Sequence, residues 1–166
     1  MSGALYLTNV SVHLFAALLW LGGMFFFALV GAPVLRGVEP PALRAELFRR
    51  LGQRFLGVAW ASIAVLLVTG TLNLHFRGLL GWDTLGSGAF WALPYGRALA
   101  WKLGAVGVML VVSVLHDFWL GPAASRLRPG TPAALTARRR AAWLARGNAL
   151  AGVVAVLAAV RLARGG

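Results

Sequence analysis

The stretch Tyr95 to Leu120, YGRALAWKLGAVGVMLVVSVLHDFWL, reads as a helix that crosses a lipid bilayer, yet it carries Lys102 near one end and His116 near the other. Lys102 is the only lysine; every other member of the chain's 16 Lys and Arg residues is an arginine. The spacing of Lys102 and His116 is close to a whole number of helical turns, so they lie on roughly one face. They are also separated by about 21 Å along the axis at helical rise, so they belong to opposite sides of the membrane. A charged group inside an apolar span is costly and marks a candidate functional site.

Working outward, the composition supports the membrane reading. The chain has 166 residues, 60% of them hydrophobic and 12% charged, and a mean hydropathy of +0.78. A soluble domain of this size could not bury that much apolar surface, so the bilayer is expected to be its solvent. The net charge of +12 is no nucleic-acid signature, because the arginines sit between apolar runs and form no continuous basic domain. With no cysteine there is neither a disulfide framework nor a thiolate metal site. The N-terminus lacks a positive region before its apolar run, and the first charge is Arg36, so it reads as a retained helix rather than a cleaved signal.

Four apolar runs predict four membrane helices, at about residues 4–35, 55–76, 98–120 and 144–162. The expected architecture is all-α, one four-helix transmembrane domain over residues 1–166, with no internal repeat legible in the sequence. The segment Arg36 to Arg54 holds five arginines and two glutamates, Arg126 to Arg146 holds six arginines and no acid, and Arg77 to Arg97 holds only those two arginines and Asp83. By the positive-inside rule both termini face outward, despite Arg161 and Arg164, and the chain is expected in a bacterial inner membrane. Leu43, Leu47, Phe48 and Leu51 recur at helical spacing and predict a short amphipathic helix lying in the inner interface. The segment between the second and third helices is apolar and aromatic, with Trp82, Phe90, Trp91 and Tyr95, and is expected to lie in the outer interface.

The remaining polar groups suggest a site. On this topology His13, His75 and Lys102 come to similar depth near the outer side on three helices, while His116 lies near the inner side beside Asp117. Each has a bland alternative: interfacial placement for His75 and His116, snorkelling for Lys102, helix packing for Trp20 with Gly22 and Gly23. Two chemistries use histidines on separate membrane helices. Haem b needs axial ligands at matching depth, thin helix faces and cations for its propionates. His13 would be one ligand and His75 or Lys102 the other; Trp20, Gly23 and Gly70 would flank the ring, and Arg77 and Arg97 stand where propionates would emerge. Copper is the alternative, with His13, His75 and His116 as metal positions. A thioether path is poorly supplied, because the chain has only Met1, Met24 and Met109. No P-loop, GxGxxG, HExxH or GxSxG signature is present.

Three segments carry a family resemblance. His13 with Trp20, Gly22-Gly23 and Pro33 resembles an H…W-x-G-G…P opening; Arg54-Phe55 followed by LLVTGTLN resembles an RF…L-x-TG segment; Tyr95-Gly96-Arg97, Leu99 and Lys102 resemble a YGR-x-L-x-x-K motif. Together they are similar to the copper resistance D (CopD) type of membrane domain and, more distantly, to the HemJ-like family. The first resemblance implies copper uptake or tolerance. The second implies haem b held by a first-helix histidine and a third-helix lysine, positions matched by His13 and Lys102. The reading that follows is a haem b protein of membrane electron transfer, an oxidoreductase if it is an enzyme, served by a quinone or a redox protein. The alternatives are a copper-handling membrane protein and a cofactor-free structural partner. The bilayer is the expected surrounding, with a homodimer among the assemblies considered.

Overall fold

A computed structural model describes residues 3–127 and 131–165, which are helical almost throughout and include no strand. Four helices are long and apolar enough to cross a membrane: α1 (Gly3–Arg36), α2 (Pro41–Phe76), α5 (Pro94–Ala123) and α6 (Pro132–Ala163). Two short helices, α3 (Trp82–Leu85) and α4 (Gly88–Ala92), lie between α2 and α5. Large apolar side chains such as Leu7, Phe15, Leu29, Trp101 and Leu157 stay exposed, as side chains facing lipid do. The chain divides into two compact units, one ending at Leu85 and the other starting at Gly86.

In the first unit α1 packs against α2 as an antiparallel hairpin. Phe27–Gly31 forms a π turn inside α1, in which the Ala32 amide bonds to the Phe27 carbonyl five residues back. The cause is Pro33, which lacks an amide proton and whose ring would strike the carbonyl four residues before it; widening the turn relieves that clash. Helix α2 starts with Pro41 at its first turn, where a proline loses no hydrogen bond. It then runs without a break to Phe76. The expected separate interfacial helix is therefore corrected, as is the expected start near residue 55. No proline lies between Leu43 and Phe55, and Glu46 binds Arg49 at 2.6 Å and Arg50 at 2.6 Å along one face. At about 54 Å for its 36 residues, α2 exceeds the roughly 30 Å hydrocarbon core, so its basic first turns extend beyond the lipid.

In the second unit α5 packs against α6. Helix α5 begins at Pro94 rather than near residue 98, because Gly96 admits the preceding chain. A β-carbon there would collide with the backbone of Phe90 and Trp91, so the aromatic segment α4 lies directly on the first turn of α5. A second π turn, Leu115–Leu120, closes with the Gly121 amide on the His116 carbonyl and again precedes a proline, Pro122. Helix α6 starts at Pro132, twelve residues before the expected 144, capped by the Thr131 hydroxyl on the Ala134 amide at 3.2 Å. The basic stretch, which reads as a helical start after its Pro and Gly breakers, is continuous with α6, because arginine and alanine favour helix and no proline follows Pro132. The breakers Pro129 and Gly130 lie outside the described residues.

The two hairpins repeat one another, which the sequence conceals. A constant shift of 89 positions carries Pro33 onto Pro122 and the first π turn onto the second. The same shift carries the buried positions Asn9, Ala16 and Trp20 of α1 onto the buried Ala98, Ala105 and Met109 of α5. It also carries the buried Ala59, Ile63 and Thr69 of α2 onto the buried Asn148, Gly152 and Ala158 of α6.

Candidate functional site

A part-buried polar cluster of the first unit lies in the seam between α1 and α2. Asn9 and His13 stand one turn apart on α1, and Thr69 and Asn73 one turn apart on α2. Asn9 Nδ2 donates to the Thr69 carbonyl at 3.0 Å and to Asn73 Oδ1 at 2.9 Å. His13 Nδ1 lies 2.7 Å from Thr69 Oγ1. The Thr69 hydroxyl has a single proton, and its 2.6 Å contact with the Val65 carbonyl uses it. With its proton so used, Thr69 Oγ1 is left to accept from His13 Nδ1–H, a pairing that in the neutral ring leaves the lone pair on Nε2. This is how a hydrogen-bonded partner prepares an imidazole to bind a metal. Gly70 lies beside the ring: a β-carbon on it would meet His13 Cε1 at 3.4 Å, an ordinary van der Waals contact.

The other expected residues of this unit do not join the cluster. Trp20 is 6% exposed and belongs to the hairpin core. Gly23 sits against the Phe55 ring, where a β-carbon would collide, so it brings the two helices together. His75 is exposed, two residues past Asn73 and so on another face of α2 from Thr69 and Asn73; its ring tilts against Phe76. Arg77 reaches back to the Tyr6 hydroxyl at 2.9 Å and lies 6.0 Å over the Tyr6 ring, tying the end of α2 to the start of α1.

In the second unit Lys102 is half-buried on α5, on the face of Ala98, Ala105 and Met109. By the 89-residue shift it occupies the position of His13. His116 Nδ1 lies 2.8 Å from Asp117 Oδ1, a pairing of adjacent residues formed within the π turn. Among the described residues no group of three or more His, Asp or Glu is gathered as a metal cage. Further along the α5–α6 seam, Asn148 Nδ2 donates to Ser113 Oγ at 3.1 Å, both buried. Arg97 lines a groove of about 290 Å³ between α5 and α6, with Arg161 and Trp101. The first unit has a groove of about 280 Å³ at the matching place, lined by Thr8, Val12 and Leu72.

Sequence reasoning missed Asn9, Asn73 and Asn148 as partners. Their signal was present: an amide side chain inside an apolar run has to find a hydrogen bond within the protein.

Comparison with known proteins places this chain in a family. The family model described as copper resistance protein D matches residues 49–162. The match includes Thr69, Gly70 and Lys102 and starts after His13. An uncharacterized protein of Aquifex aeolicus is 35% identical over 111 residues, which cover 66% of this chain and 66% of that one. No solved structure matches.

Proposed function

The chain belongs to the copper resistance protein D family, and on that premise we propose that it handles copper in the membrane, with His13 Nε2 as the atom that contacts the ion. It is a multi-pass protein of the bacterial inner membrane. Copper is cargo in this reading. The observation that carries it is the 2.7 Å contact between His13 Nδ1 and Thr69 Oγ1, whose own proton is engaged by the Val65 carbonyl; that pairing favours the proton on Nδ1 and the lone pair of a neutral ring on Nε2. Imidazole nitrogen suits copper. A single imidazole holds an ion weakly, which suits passing it on rather than storing it.

Haem b with electron transfer to a quinone or redox protein is the competing use of the same nitrogen. Within the first hairpin it would have one nitrogen ligand, because His75 is turned to another face. The copper reading asks for no second ligand there, and the family description favours it.

The test is metal and optical analysis of protein purified in detergent and loaded with Cu(II). Expected are bound copper by elemental analysis, nitrogen hyperfine structure from one imidazole in its electron paramagnetic resonance spectrum, and loss of both in His13→Ala. Copper binding undiminished by His13→Ala overturns the assignment. A Soret band with a positive pyridine haemochrome, lost in the same variant, replaces copper by haem b.

A further inference from the structure

The two matching grooves differ in chemistry, and the difference points to a ligand unrelated to copper. We propose that the groove between α5 and α6 seats an anionic phospholipid, with its phosphate between Arg97 and Arg161 and an acyl chain along the apolar wall formed by Trp101 and Leu157. The register is the same in both hairpins: the 89-residue shift aligns most of the lining positions, including Asn9 with Ala98 and Thr69 with Ala158. What changes is the charge. Arg97 stands where the first hairpin has Thr8, Arg161 where it has Leu72, and Trp101 where it has Val12.

No carboxylate lines this groove, and neither guanidinium forms an ion pair among the described residues. Two arginines from two helices thus face one apolar trough without a protein counter-charge. Both lie toward the helix ends opposite the arginine-rich start of α6, Arg97 in the first turn of α5 and Arg161 in the last turn of α6. That places them at one headgroup level, where the abundant anion is the phosphodiester of a lipid. Guanidinium forks match phosphate oxygens. Trp101, 70% exposed at the same end, is the side chain expected at an interface. A free phosphate would satisfy the arginines and leave the apolar wall unused; a phospholipid uses both.

The experiment places the full chain in bilayers of phosphatidylglycerol and phosphatidylcholine and counts the lipids retained by native mass spectrometry. The wild type is expected to retain phosphatidylglycerol preferentially. Arg97→Gln and Arg161→Gln are each expected to weaken that retention roughly fivefold, the effect of one cation near a charged membrane surface. Introducing Thr8→Arg with Leu72→Arg into the doubly substituted protein should restore one retained lipid, now on the first hairpin. Both arginines are exposed, so the single variants should keep wild-type helicity by circular dichroism. Equal retention of the two lipids by the wild type overturns the proposal. So does unchanged retention in both single variants, or displacement of the lipid by glycerol phosphate at equal concentration, which would make the site one for free phosphate.

Discussion

Thr69→Val is the sharpest test of the histidine assignment, because it removes a hydroxyl and keeps the shape. In the wild type the hydroxyl donates to Val65 and accepts from His13. Valine can do neither, so the Nδ1 proton loses its acceptor and the tautomer is no longer held. The Asn9 contact is to the Thr69 carbonyl, which the substitution spares, so the seam should stay closed. Side-chain hydrogen bonds between membrane helices average about 0.6 kcal/mol, so stability should fall by little, about 1–3 °C in Tm. Copper affinity should fall more, by about tenfold, the lower end for losing a partner that orients a metal-binding histidine. The assay is a copper titration on nanodisc protein beside a thermal melt, with Thr69→Ser as control. Serine keeps the oxygen and should bind near the wild-type level. Wild-type affinity in Thr69→Val refutes the tautomer argument; so does an equal loss in Thr69→Ser.

Other consequences can be checked on the same material. Gly96→Ala puts a methyl group into the backbone of Phe90 and Trp91; it should cost about 1–3 kcal/mol and lower the thermal midpoint clearly. Gly70→Ala meets His13 only at 3.4 Å, so it should leave the fold intact and perturb the imidazole signals in a nuclear magnetic resonance spectrum. Asn148→Ala removes the donor to Ser113 and should cost about 0.6 kcal/mol with no effect on copper binding. His75→Ala should leave bound copper unchanged by elemental analysis, because its side chain stands away from the Asn9–His13–Thr69–Asn73 cluster.

Helix number was legible because hydropathy reports it directly, and each observed helix contains its expected apolar run. Helix length was not. The runs end where charge begins, but a helix is stopped by a breaker such as proline, and no further proline occurs between Pro41 and Phe76 or between Pro132 and Ala163. Arginine carries a strong helix propensity, so the basic stretches continue the helices into the interface. Within the site, His13 was legible as an imidazole with apolar neighbours on both sides, whereas its partner had to come from the packing of a helix 56 residues away. The expected depth of His75 was not enough to place it, since depth fixes the turn of a helix and says nothing about which face of that turn the residue occupies.

The repeated hairpin gives a way to separate scaffold from function in one chain. Positions that the two hairpins share are those the fold requires: a proline after a π turn, small or buried residues at the seam, a groove near the open end. Positions where they differ in polarity cannot be needed for the fold, since the other hairpin folds without them. At the seam the first hairpin has Asn9, His13, Thr69 and Asn73, and the second has Ala98, Lys102, Ala158 and Leu162. Deeper along the same seam the contrast reverses, with Ser113 and Asn148 in the second hairpin against Met24 and Ala59 in the first. On the proposed function, the polar set of the first hairpin serves to orient the His13 imidazole, and the second hairpin has a lysine at the same register beside a groove carrying two arginines, a pattern suited to anions. One scaffold would then present a ligand nitrogen in one copy and positive charge in the other. The exchange Lys102→His with Ala158→Thr should therefore transfer the first chemistry to the second hairpin, raising bound copper per chain, and a failure to do so would show that the shared register does not define the site.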